Sequence, residues 1–167
     1  MHPLILALFD DPASAAAAAR DLRGLGIARE RVSVVARSHD EEGAFADATG
    51  ASPGSEIEDS AVASRLGELS GHLLAAIALV LPGIGPIVAD GPLAAGLGEA
   101  AGHVAGGIAR ALRQAGLERS EADHWQERIE GGAILVGAHV DEATVPAVQG
   151  VFGRNRAVST ARAAWED

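Results

Sequence analysis

The stretch "LILALFDDPASAAAAARDLRGLGIARERVSVVAR", Leu4 to Arg37, decides the fold. "LILALF" (Leu4 to Phe9) is a short apolar run and reads as a buried strand. Asp11 then stands where a helix N-cap belongs, Pro12 occupies the first helical position, and Gly24 or Gly26 supplies the stop. "RVSVVAR" (Arg31 to Arg37) is a second strand by its β-branched content. The same order returns near the other end. "AILVGAHV" (Ala133 to Val140) is the strongest strand, and a helix over Thr144 to Phe152 tolerates Pro146 because it lies in the first turn. "RAVST" (Arg156 to Thr160) reads as an edge strand. With residues 38–131 set aside, the chain is β-α-β followed by β-α-β, the order of an α+β, ferredoxin-like sheet.

The intervening residues divide by composition. Residues 38–59 are polar, acidic and broken by Gly and Pro, as expected of an acidic, flexible connector. A helix is expected from about Ser60 to Leu81, then a turn region from Pro82 to Pro92. A second helix runs to about Ala115, with Gly116 as its stop. "SEADHWQERIEGG" predicts a third helix with Ser120 as N-cap, Asp123 at the capping-box position and Gly131 at its close. The expected organisation is one domain in four parts. Residues 1–37 form the first β-α-β unit, 38–59 the connector, 60–116 an inserted, glycine-rich antiparallel helical hairpin, and 117–167 the third helix with the second unit.

Composition excludes several classes. The formal charge of −10 over 167 residues opposes nucleic-acid binding, which needs a basic face, and opposes a polybasic membrane-surface helix. With no cysteine there is no thiolate metal site, disulfide or cysteine nucleophile. "MHPLILALFDDP" has too short an apolar run and no basic flank for a signal peptide, so a cytoplasmic location is expected. Ser33, Ser38 and Ser159 lack a nucleophile-elbow motif, and the "GLG" and "GIG" fragments lack the third glycine of a dinucleotide loop. Asp10, Asp11 and Asp141 read as caps, His139 as a core or edge histidine, and His124–Trp125 as the packing face of the third helix.

The hairpin holds a repeat. "GELSGHLLAAIA" (Gly67 to Ala78) and "GEAAGHVAGGIA" (Gly98 to Ala109) both read G-E-x-x-G-H-x-x-x-x-I-A. His72 and His103 are centred on residue 87.5, close to the middle of the Pro82–Pro92 turn, so two antiparallel helices would hold them at one height. Glu68 and Glu99 each lie one turn away on the same helix face. Two imidazoles and two carboxylates suit zinc, iron or manganese. The competing reading is a pair of i,i+4 Glu–His contacts that only support their helices. Gly67 and Gly71, with Gly98, Gly102 and Gly106, make flat ridges where a second backbone can approach. Each interior glycine costs about 1 kcal/mol against alanine, so a compensating contact is implied. Leu69 to Ala89 carries no charged side chain. Pro82 would nonetheless stop a helix there after roughly 20 Å, short of a hydrocarbon core about 30 Å thick.

"ILALFDDPASAAAAARDLRGLGIARERVSVVA", "LPGIGPIVADGPLAA" and "GLERSEADHWQERIEGGAILVGAHVDE" together resemble the bacterial general-stress (heat- or low-temperature-induced) protein family. The resemblance implies a β-α-β start, a glycine-rich hairpin around a P-G-[IV]-G-P turn, and a helix leading into a G-G-x-[LI]-[LV]-V strand. It carries no catalytic residues. Glu68, His72, Glu99 and His103 depart from the small, apolar hairpin it implies. Three functional classes follow. The first is a non-catalytic, cytoplasmic stress-associated protein forming a homo-oligomer through the hairpin. The second is a metal-binding bundle built on the repeated pairs. The third is a membrane-associated protein that inserts the hairpin.

Overall fold

Apolar runs without polar alternation become strands covered on both sides. The computed structural model of the protein describes residues 2–37, 77–81, 85–93 and 107–165. Its strands are β1 (His2–Phe9), β2 (Val32–Arg37), β3 (Ile77–Leu81), β4 (Gly85–Asp90), β5 (Ile134–His139) and β6 (Ser159–Trp165). Its helices are α1 (Pro12–Gly24), α2 (Gly107–Gln114), α3 (Arg119–Glu130) and α4 (Val145–Arg154). The strands form one sheet in the order β3-β4-β2-β5-β1-β6, antiparallel at every junction. Within it, β2-β5-β1-β6 is the four-stranded antiparallel sheet expected from the two β-α-β units. Each unit's pair of strands has one strand of the other unit between its members.

Every residue from Leu4 to Phe9 and from Ile134 to His139 is buried, because helices cover both faces. Ile5, Ala7 and Phe9 join Val34 and Val136 in a core with Ala15, Ala18 and Leu22 of α1 and Val148 and Phe152 of α4. The alanines of α1 let its backbone lie close to the sheet, and Phe9 meets Phe152 edge-on at 6.0 Å between ring centres. The alternate residues Leu4, Leu6 and Leu8 share a second core with Ile108 and Leu112 of α2 and Ala122, Trp125 and Ile129 of α3. Fully burying each of these large side chains contributes about 1.5–3 kcal/mol.

Two helix starts show how the ends are set. The Asp11 carboxylate accepts from the Ala13 and Ser14 amides at 3.3 and 2.9 Å, as its N-cap position predicts. The expected N-cap Ser120 is corrected. Helix α3 begins at Arg119, with Glu118 as a cap lacking a side-chain bond, so Ser120 sits inside the first turn. The reason is the preceding turn, where Leu117 N–H donates to Leu112 O at 3.0 Å and delivers the chain directly into the new helix.

The helical reading of the inserted segment is corrected in its middle. Residues 77–81, expected as the end of a helix, are strand β3, and residues 85–90, expected in a turn region, are strand β4. The two pair from Ile77↔Ala89 to Leu81↔Gly85, and β4 adds to the outer edge of β2. Short runs with Ile77, Val80, Ile87 and Val88 around Pro82–Gly83 suit a β-hairpin. A neighbouring strand edge offers them a ladder that an isolated helix would not have. A helix starts at Pro92 as expected, and α2 falls within the expected second helix. Strand β6 also differs from "RAVST": it starts at Ser159 and continues to Trp165, because β1 extends back to His2 and pairs with it from His2 to Leu8.

The inserted segment is anchored where it rejoins the core. Gly91 adopts φ +82°, and two residues on, the buried Leu93 N–H donates to the buried Ser33 Oγ at 3.1 Å. Gly137 leaves room that Leu6, Leu4 and Leu93 share, with Leu6 the nearest. A Cβ there would lie 2.9 Å from Leu6 Cδ2 and 3.6 Å from Leu93 Cδ1.

Candidate functional site

Several polar side chains of the described residues hold elements together. Arg37 donates from Nη1 to Glu130 O at 2.8 Å, across the sheet, and closes the C-terminal end of α3. Gln126 accepts from Ala109 N–H at 2.9 Å, satisfying an amide in the first turn of α2, and donates to Glu130 Oε1 at 2.9 Å. Asn155 donates to Asp21 Oδ2 at 2.9 Å, joining α4 to α1. Asp10 pairs with Arg128 and is thus an ion-pair partner of α3, not a cap. Sequence reading missed Ser33, Arg37 and Gln126 as organising residues, because the partners of the first two lie far along the chain.

The cap reading of Asp141 is corrected: Thr144 is the N-cap of α4, and Asp141 instead closes the turn that precedes it. It accepts from Thr144 N–H at 2.9 Å and Thr144 Oγ1 at 2.6 Å ahead of α4. The Thr144 hydroxyl and amide hold its carboxyl below the ordinary value of 3.8, and the Ser14 hydroxyl and amide do the same for Asp11. A carboxyl depressed in the folded state contributes stability above the unfolded value, and that contribution is lost as pH falls through the folded one. Between roughly pH 4 and pH 2 the wild-type denaturation midpoint should therefore fall more steeply than that of an Asp11→Asn, Asp141→Asn double variant. Parallel slopes in urea titrations would contradict it.

Asp141 and Thr144 also line an open hollow of about 370 Å³ with Arg31 and His139. His139 is buried and meets the Trp165 ring edge-on, with centres 5.2 Å apart, which fits the expected core or edge histidine. A second hollow, of about 580 Å³, surrounds the Asp10–Arg128 pair at the end of α3. Among the described residues no three His, Asp or Glu side chains gather as a metal site would require. His124 is exposed, whereas Trp125 is buried, so only the tryptophan packs α3 on the sheet.

Glu68, His72, Glu99 and His103 lie outside the described residues, as do Gly67, Gly71, Gly98, Gly102 and Gly106. The equal height expected for the two histidines assumed helices joined at Pro82–Pro92. The hairpin that replaces that turn has every pair of partners centred on residue 83, four to five residues before the midpoint of the histidines. That juxtaposition therefore loses its geometric premise.

The two edges of the sheet differ. On β6, the exposed Arg162 pairs with Glu142, and Ala164 N–H donates to Ala115 O, at the end of α2, at 2.9 Å. A charge and a covering carbonyl are the usual guards of an edge strand. At the other edge β3 is uncharged and, among the described residues, pairs with β4 alone. Among the described residues no helix is long and apolar enough to cross a membrane. No family model, curated protein or solved structure matches this chain.

Proposed function

We propose that the chain is a non-catalytic, cytoplasmic stress-associated protein that self-assembles through its inserted segment, residues 60–116. The frame is read as a ferredoxin-like sheet, and the sequence resemblance to the general-stress family supplies the physiological setting. One observation carries the reading: the segment supplies the outermost strand of the sheet from a stretch without charge. Both faces of the four-stranded sheet are closed by the chain's own helices, so its edges are where another strand can add. The engagement of Ser33, Arg37, Gln126, Asp11 and Asp141 in structural bonds supports a non-catalytic role.

Sedimentation equilibrium of the purified protein tests this. A dimer or larger closed assembly is expected at micromolar concentration. A species that stays monomeric up to roughly 100 μM, where a complex of only about 5.5 kcal/mol would already be half formed, would refute it.

A further inference from the structure

We infer that β3 is the seam of a symmetric dimer, pairing antiparallel with β3 of a second copy about Leu79. This rests on the self-assembly proposed above and names the surface that performs it.

Proline fixes the direction of the ladder. Pro86 has no N–H to give, so the pair Val80↔Pro86 fits the type whose backbone groups point away from one another. By alternation Leu79↔Ile87 and Ile77↔Ala89 bond across the hairpin, while Ala78 and Val80 turn their N–H and C=O groups outward. The same rule holds where it can be checked, on β6. Pro3 accepts from Val140 N–H at 3.0 Å toward β5, and its partner Ala164 turns its N–H away from β1, to Ala115 O.

A twofold axis at Leu79 matches this pattern without adjustment. Ala78 of one copy then faces Val80 of the other, and their outward groups complete a hydrogen-bonded pair on each side of the axis. Leu79 faces its own copy in a non-bonded pair. Identical strands related by a twofold axis are complementary by symmetry, and the contact closes at two subunits. Charge favours the same place. Two copies of net charge −10 repel over most of their surfaces, and Leu69 to Ala89 is free of charged side chains. The β6 edge is guarded by Arg162 and by the Ala115 carbonyl, so it does not compete for the same role.

The absence of cysteine makes the seam testable by a single thiol. Non-bonded partners lie about 4.5 Å apart at Cα, within the span of a disulfide, so oxidised Leu79→Cys should give cross-linked dimer as more than roughly half of the chain. Thr160→Cys, exposed on β6, should give little. Val80→Pro removes an outward N–H and should weaken the dimer by about tenfold or more, while leaving the β3–β4 bonds intact. In wild-type protein, exchange at the amides of Ala78 and Val80 should slow as concentration rises. A dimer whose Leu79→Cys form cross-links no better than Thr160→Cys, with concentration-independent exchange at both amides, overturns the seam while self-assembly stands. A monomer at every concentration overturns both.

Discussion

Gly91→Val should destabilise the protein by about 3–5 kcal/mol, combining side-chain strain at a left-handed backbone angle with a collision in a packed site. A Cβ at Gly91 would stand 2.2 Å from Val32 O, 2.7 Å from Ser33 Cα and 2.8 Å from Val32 C. All three atoms belong to the backbone of β2 or its start, so no side chain can rotate out of the way. The φ of +82° is itself unfavourable for a β-branched residue. The cost spreads because of what Gly91 joins. Asp90 pairs with Val34 on one side of it, and on the other Leu93 is held by Ser33 and buried beside Gly137. Forcing Gly91 outward pulls Leu93 from its core and leaves the Ser33 hydroxyl without that donor. At about 2–4 °C per kcal/mol for a chain of this size, thermal unfolding should fall by roughly 6–20 °C. Gly153→Ala is the matched control. Gly153 has open space around its Cβ position and lies within α4, so alanine should stabilise by up to about 1 kcal/mol. A Gly91→Val midpoint within error of the wild type would show that the β2–β4 junction is not as close as described.

The elements that could be read from sequence are those whose local signals and tertiary setting agree. Asp11 and Pro12 announce α1, and Pro146 in the first turn is compatible with α4, whose Val148, Val151 and Phe152 point to one core. "ILVGAH" is apolar enough to need cover on both faces, and the sheet gives it that. The hairpin β3–β4 was misread because its runs are short, apolar and without period. Such runs fit a buried helix as well as a strand until a neighbouring edge is known. That edge belongs to β2, some forty residues earlier, and no local pattern refers to it. Ser33 was unreadable for the same reason: its partner, Leu93, is sixty residues away. The repeated Glu and His positions show a further limit. Their i,i+4 spacing is a statement about one helix, whereas a shared site depends on how two segments are joined, and strands replace the join on which it relied.

Trp125→Ala should remove about 3–5 kcal/mol of stability, the usual range for deleting a buried aromatic side chain. Trp125 is 2% exposed and stands between Ala122 and Ile129 on the buried stripe of α3. It belongs to the core that covers Leu4, Leu6 and Leu8, the alternate face of the central strand β1. The alanine neighbours in that core cannot expand to fill the space, so the loss of packing is only partly relieved by relaxation. The effect should be local before it is global. α3 loses its largest anchor, while the opposite core of α1, α4, Phe9 and Phe152 keeps every contact. The variant should therefore bind a hydrophobic dye through the exposed leucine face at denaturant concentrations where far-ultraviolet dichroism still reports most of the secondary structure. Fluorescence separates the two steps, since the chain has two tryptophans and the variant keeps only Trp165, at the end of β6. His124→Ala is the comparison that decides the cause. The adjacent His124 is exposed on the same helix, so its removal should change stability by no more than about 0.5 kcal/mol. Equal losses from the two neighbours would mean that helix propensity, not the buried ring, holds α3 on the sheet.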